Sequence, residues 1–207
     1  MLVYFQFSIM KEIADIIEGE LRQGIPVEIT EYSIDSRSII TPEHTLFFAL
    51  KGNNHNGHDY IQTLYSDGIR AFVISEYRAE FDHLPEANFI LVKDVLTALQ
   101  QLAAFHRQQS RAEVIGITGS NGKTVVKEWL YQLLANDHAV YRSPRSYNSQ
   151  VGVPLSLLGI DTKADIAIIE AGISQKGEMQ RLQHMIRPDI GIFTHLGDAH
   201  DENFSSR

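Results

Sequence analysis

The residues with the clearest chemistry stand in one run, Val114-Ile115-Gly116-Ile117-Thr118-Gly119-Ser120-Asn121-Gly122-Lys123-Thr124. β-Branched residues lead into a loop of small residues, the loop closes in Gly-Lys-Thr, and a helix-forming run follows from Val125 to Leu134. That order suits a polyphosphate, whose charges need converging backbone N–H groups and the positive end of a helix dipole. Gly119 and Gly122 would let the backbone turn sharply and approach phosphate with no Cβ in the way. Lys123 would reach the terminal phosphates, and the Thr124 hydroxyl would ligate Mg²⁺. The spacing departs from the general G-x-x-x-x-G-K-[ST] pattern, because Ile117 stands five before Gly122. What stands here is the shorter T-G-x-N-G-K-T form. The competing reading, a plain glycine turn, leaves the coincidence of strand, loop, Lys-Thr and helix unexplained.

Three further residues could act on the same ligand. Glu170 closes the run Ile166-Ala167-Ile168-Ile169, and a carboxylate just past a buried strand, opposite a P-loop threonine, is where a Mg²⁺ ligand belongs. A helix cap or a salt bridge is the alternative for Glu170. His200 follows a strand by a few residues and could ligate a second divalent ion or bond a phosphate oxygen. On the residues alone, a satisfied surface histidine is the commoner outcome for His200. Asn148, in the polar loop from Ser143 to Gln150, could hold a phosphate or a metal-bound water.

The elements that would position these groups follow from periodicity. Strands are predicted over 139–142, 165–170 and 189–194 beside the one entering the loop, with helices over 151–158 and 177–185. Pro154 falls in a first helical turn, where its missing N–H costs little. Continuous apolar strands separated by helices argue a parallel sheet covered on both faces. In such sheets ligands bind beyond the carboxyl ends of the strands, which is where the loop, Glu170 and the segment from His195 to His200 all fall.

The first half alternates as well. Helices are predicted over 8–18, 59–65 and 94–108, and strands over 27–34, 45–50, 71–75 and 89–92. This is the pattern of a small α/β domain. The apolar-poor stretch from Gln109 to Glu113 is read as the boundary, giving domains 1–108 and 109–207. Asp35-Ser36-Arg37 offers a carboxylate, a hydroxyl and a guanidinium in one turn, and Lys51-Gly52 offers a cation beside bare backbone. Both suit an anionic nucleotide-sugar, although a solvated turn is the commoner fate of such residues. His55 and His58 invite a metal reading, but a solvated loop is favoured because no third ligand follows at helical spacing.

Composition narrows the classes. The 207 residues are 43% hydrophobic and 21% charged, as in a globular protein. The absence of cysteine excludes disulfides and thiolate metal sites. No apolar run approaches the roughly 20 residues needed to span a bilayer, so membrane insertion is not expected. Met1 to Phe7 lack a basic start and a small-residue cleavage site, so no signal peptide is read. The formal charge is −8 and no basic stripe appears, which argues against a nucleic-acid partner.

Taken together, these residues resemble the ATP-dependent Mur ligases of peptidoglycan synthesis. T-G-S-N-G-K-T is close to that family's nucleotide loop. Tyr147-Asn148-Ser149-Gln150-Val151-Gly152-Val153-Pro154, Glu170-Ala171-Gly172 through Gly177-Glu178-Met179, and the segment ending at His200 carry the likeness on. Asp35-Ser36-Arg37 and Leu46 through Gly52 resemble the part that holds the UDP-sugar. The E-A-G-x-x-x-x-G-E-M stretch is similar to the branch that joins D-Ala-D-Ala to UDP-MurNAc-tripeptide.

The resemblance implies a UDP-sugar-binding α/β domain followed by part of a P-loop parallel-sheet ATPase domain. It implies ATP phosphates on Gly119, Ser120, Asn121, Gly122, Lys123 and Thr124, with Asn148 near the phosphate end. Mg²⁺ would sit on Thr124 and Glu170, a second ion would involve His200, and Lys123, Glu170 and His200 would serve catalysis. Asp35, Ser36, Arg37, Lys51 and Gly52 would lie in the UDP-sugar domain. The implied reaction is cytoplasmic, ATP-driven amide formation through an acyl phosphate. Ser174-Gln175 stands where many relatives have Asn-His. The family's longer ATPase domain, its modified lysine and its closing third domain would all lie beyond Arg207, so the chain is read as an N-terminal fragment, inactive alone. Fusion to an alanine racemase is an arrangement the resemblance allows. A sibling Mur ligase, a folylpolyglutamate-type ligase and a non-catalytic P-loop module stay open as alternatives.

Overall fold

Runs of apolar residues with turn residues between them become the strands of two sheets, parallel except for one edge strand of the first. The computed structural model describes residues 9–173 and 177–195. It divides into two compact units, residues 1–102 and 103–207.

In the first unit, helix α1 (Ile9–Ile16) is followed by strands β1 (Glu20–Arg22), β2 (Glu31–Ser33) and β3 (Thr45–Phe48). Helix α2 (Ile61–Ser66) then leads to β4 (Ala71–Ile74) and β5 (Asn88–Leu91). The sheet order is β1-β5-β4-β3-β2; β1 pairs antiparallel with β5 and the other neighbours are parallel. β3 and β4 are buried along their whole length, as apolar strands covered on both faces must be. Phe72 and Phe81 each stack on Phe89, with centroids 5.4 and 5.2 Å apart, and this aromatic cluster fills the core.

Three local expectations change. The predicted 27–34 strand shortens to β2, an edge strand that pairs only with β3 over three residues. β1, where only the end of a helix was read, pairs on the far edge. The predicted 59–65 helix is a 3₁₀ turn (Gly57–Tyr60) leading into α2, because the Asn56 side chain accepts from the His58 N–H at 3.1 Å and caps the turn. Ser8, the first residue of the predicted 8–18 helix, lies outside the described residues.

Helix α3 (Val95–Gln109) contains the division between the units. The second unit continues with β6 (Glu113–Thr118), α4 (Lys123–Leu134) and β7 (Val140–Arg142). After these come α5 (Gly152–Leu158), β8 (Ile166–Glu170), α6 (Glu178–Ile186) and β9 (Ile190–Phe193). All four strands are parallel in the order β7-β8-β6-β9. Val126, Leu130 and Leu134 of α4 pack on Ile115, Ile117 and Ile168, while α5 packs on β8 and α6. The register sets Ile117 opposite Glu170 and Thr118 opposite Phe193, so the ends of β6, β8 and β9 lie side by side. Among the described residues no helix is long and apolar enough to cross a membrane.

Candidate functional site

The turn from β6 into α4 is made by two glycines in the left-handed region, Gly119 (φ +134°) and Gly122 (φ +82°), the second of them the N-cap of α4. A Cβ at Gly119 would run into Thr194 and would lie 2.9 Å from the His195 N, so only glycine fits without rearrangement. Ile117, which stands where the longer loop pattern has its first glycine, is fully buried in β6. The loop is held from β9. The Ser120 N–H donates to His195 O at 2.7 Å, and the Thr194 hydroxyl donates to Asn121 O at 2.6 Å. The amide of Ser120 is therefore turned toward the end of β9. Asn121 and Gly122 are exposed, and the Lys123 ammonium folds back to Gly119 O at 2.7 Å.

The structure brings Thr124, Asn148 and Glu170 together. The Thr124 hydroxyl donates to Glu170 Oε2 at 2.9 Å, and the Asn148 amide donates to Oε1 at 2.7 Å. Glu170 comes from the last position of β8 and is only 1% exposed, with its own N–H donating to Ser143 Oγ at 3.1 Å. Asn148 is set by its backbone, whose carbonyl accepts from the Gly172 N–H at 2.7 Å. The preceding residue, Tyr147, is crossed closely by Gly152, where a Cβ would lie 2.8 Å from the Tyr147 Cα.

Mg²⁺ is a hard cation that takes one or two protein oxygens and completes its shell with waters and phosphate. Thr124 Oγ1 and Glu170 Oε2, already neighbours, fit that donor set. Among the described residues no group of three or more His, Asp or Glu side chains is placed to hold a metal. His200 and Ser174-Gln175 lie outside the described residues.

Sequence reasoning passed over three residues here. Lys127 is fully buried, 3.7 Å from Glu170 Oε2, and supplies the salt bridge that was weighed for Glu170. Its ammonium also donates to Ser143 O at 2.9 Å and to Arg145 O. Thr194 braces the loop, and Ser143 receives the Glu170 amide. The one available signal was the i, i+4 spacing of Lys123 and Lys127, which puts both on one side of α4.

In the first unit, Asp35 and Arg37 grip each other. The guanidinium donates to both carboxylate oxygens at 2.9 Å and the Arg37 N–H donates at 3.0 Å. These hydrogen bonds hold the Asp35 carboxyl well below the usual range, at about 2. Ser36 stands between them, half-buried. Lys51 is exposed and 3.8 Å from Glu76, and the Gly52 N–H donates to His55 O at 2.8 Å, closing a tight turn. Both groups follow the carboxyl ends of β2 and β3. His55 is exposed, but His58 is not the solvated loop residue expected. It is buried, with Nδ1 2.7 Å from Asn56 Oδ1 and Nε2 accepting from the Ser75 N–H at 3.0 Å. Burial, more than any nearby charge, pushes its pKa below the ordinary histidine value. The reason is tertiary: β4 and the turn after it close over the ring.

Comparisons with known proteins bear on this geometry. Residues 28–107 match the model described as Mur ligase family, catalytic domain, and residues 117–207 match the Mur ligase middle domain. The chain belongs to the Mur ligase family. The UDP-N-acetylmuramoyl-tripeptide–D-alanyl-D-alanine ligase of Bacillus subtilis is 32% identical over 96% of this chain and 43% of its own length. A crystal structure of MurF from Acinetobacter baumannii superposes with a TM-score of 0.86 at 25% identity, covering 97% of this chain and 43% of that one. The MurF ligase of Thermotoga maritima in complex with ADP gives 0.71 at 29% identity over 82% of this chain and 38% of that one. The chain thus spans about two-fifths of the length of the curated relatives it matches. Both family models and these likenesses make its fold that of Mur ligases, mixed α/β with parallel sheets.

Proposed function

We propose that this chain carries the UDP-sugar-binding and nucleotide-binding parts of an ATP-dependent amide ligase. That cytoplasmic enzyme would join D-Ala-D-Ala to UDP-MurNAc-tripeptide. The observation that carries the reading is the meeting of Thr124, Glu170 and Asn148 beside a glycine-framed helix N-terminus. The relatives' names and the ADP in the Thermotoga maritima structure support it.

The tripeptide carboxylate would attack the γ-phosphorus of ATP, ADP would leave, and an acyl phosphate would form. The amine of D-Ala-D-Ala would then attack the acyl carbon, lose a proton and expel phosphate. The barrier is the approach of one anion to another. Lys123 would swing from Gly119 O to the terminal phosphates, while the loop amides and the end of α4 would hold the phosphate oxygens in line. Thr124 and Glu170 would hold one Mg²⁺ and His200 would help hold a second, the ions serving to withdraw charge from the phosphate oxygens. Asn148 would keep the Glu170 carboxylate oriented toward the first ion. Asp35, Ser36, Arg37, Lys51 and Gly52 would receive the UDP-sugar, Arg37 exchanging its carboxylate partner for phosphate.

The test is calorimetric titration of the 207-residue chain with an ATP analogue and with UDP-MurNAc-tripeptide. The reading expects both to bind. Nucleotide binding without UDP-sugar binding would favour a P-loop module without ligase chemistry. In a full-length ligase containing this sequence, Lys123→Ala is expected to cut turnover roughly a hundredfold or more, the scale of losing one preorganised donor. Phosphate release near the wild-type rate in that variant would overturn the role given to Lys123.

A further inference from the structure

Lys127 is the most buried cation at this site, and the proposed reaction gives it no role. Lysine is almost never fully buried unless paired. Here the side chain has 0% exposure, so it touches neither solvent nor a ligand in the cleft. Its partners come from three places. Glu128, 3.5 Å away, is its neighbour on α4; Ser143 O and Arg145 O belong to the segment between β7 and α5; and Glu170 Oε2 ends β8. Of these four partners, two are backbone carbonyls of the segment that delivers Asn148, and another is the carboxylate that Asn148 and Thr124 both bond. Along α4, Lys127 lies three and four residues past Thr124 and Lys123, on the face that looks toward the site.

We propose that Lys127 is a positioning residue. It pins the 143–148 segment to the P-loop helix and sets the Glu170 carboxylate beside Thr124, so that the metal-binding oxygens and Asn148 are in place before any ligand arrives. Lys123 and Lys127 thus divide the work of one helix face: the first reaches out to phosphate, the second reaches down to the groups that flank it. The part concerning Glu170 depends on the reading of Thr124 and Glu170 as Mg²⁺ ligands; the pinning of the segment does not.

The test uses the 207-residue chain and the variants Lys127→Met, Glu170→Gln and the double variant. The first measurement is backbone hydrogen exchange without nucleotide or metal. Lys127→Met is expected to speed exchange over residues 143–150 by about tenfold or more, with the β6 strand little changed. Glu170→Gln keeps both carbonyl bonds of Lys127 and should leave that segment slow. If Lys127→Met fails to fold, the double variant, which removes both buried charges together, replaces it and should show the fast segment. Exchange over 143–150 in the double variant equal to that of Glu170→Gln would overturn the pinning. The second measurement is the gain in affinity for an ATP analogue on adding Mg²⁺. Loss of an outer partner of a metal ligand typically costs about 10–100-fold in metal affinity, and that drop is expected in Lys127→Met with Mg²⁺-free affinity kept. An equal loss with and without Mg²⁺ would reduce Lys127 to a structural ion pair and overturn the positioning of Glu170. A wild-type chain with no Mg²⁺-dependent gain would sink the metal reading itself, and with it the Glu170 half, while exchange still decides the pinning.

Discussion

Past the ends of β2 and β3 in the first unit, the charged groups stand in water: the side chains of Arg37 and Lys51 are 87% and 64% exposed. At the end of β8 in the second unit, Glu170 and its neighbour Lys127 of α4 are 1% and 0% exposed. Both are carboxyl edges of parallel strands, and both carry an acid and a base. An exposed pair contributes little to stability and can exchange partners when an anion arrives. A buried pair cannot rearrange without exposing an uncompensated charge, so its geometry is settled on folding. The first edge can therefore adapt to what approaches it, whereas the second can hold a few oxygens only at fixed spacing; under the proposed function the first would receive the nucleotide-sugar.

Removing Glu170 should break this contrast most severely. Glu170→Ala removes the only buried carboxylate beside the Lys127 ammonium among the described residues and leaves it the partly exposed Glu128, and the expected loss is about 3–5 kcal/mol, read from urea unfolding. An unfolding midpoint near that of wild type would mean that water reaches Lys127 and that the two edges are alike. Gly119→Ala comes next. It forces a left-handed φ on alanine and drives a Cβ into Thr194, which should cost about 1–3 kcal/mol. A silent substitution would show that β9 does not brace the loop.

The pH dependence sharpens the comparison further. His58 and His106 are both pushed below the ordinary value of 6.5, chiefly by burial. The unfolded chain therefore binds more protons than the folded one just below that pH. Stability from these residues is present above 6.5 and declines as pH falls toward their folded values. Thermal melts from pH 7.5 to 5 should show the decline, and proton NMR should place the His58 midpoint below 6.5. Asp35 runs in the same sense at lower pH: its contribution is present above 3.8 and is lost as pH falls through about 2. Because that pair is exposed, Asp35→Asn should have the smallest effect, leaving the unfolding midpoint at pH 7 within error. A clear shift would place the Asp35–Arg37 pair among the structural supports of the first unit.

Periodicity located the longer strands of both sheets, because covered strands such as β3, β4 and β8 are apolar throughout, and β9, though largely exposed, is an apolar run as well. It missed β1 and overextended β2, the two edge strands of the first sheet, where half the hydrogen-bonding positions are unpaired and burial imposes no clear pattern; the edges of the second sheet, β7 and β9, are apolar enough to be found. Of the candidate groups, Thr124 with Glu170 was legible because strand ends in a parallel sheet converge. His58 was misread as solvated because nothing near it in the chain signals that residues 75 and 76 will cap its ring.

The turn between β6 and α4 was determined by the sequence itself, since glycine at positive φ, a helix-forming run and a β-branched strand are local properties of consecutive residues. The setting of Lys127 was decided only by the tertiary structure. Read along the helix, a lysine belongs to a solvated face; its burial arises because Ser143, Arg145 and Glu170, from 16 to 43 positions away, fold over it. Local sterics can be read residue by residue, whereas the electrostatic environment of a charge is set by whichever distant segments exclude water from it.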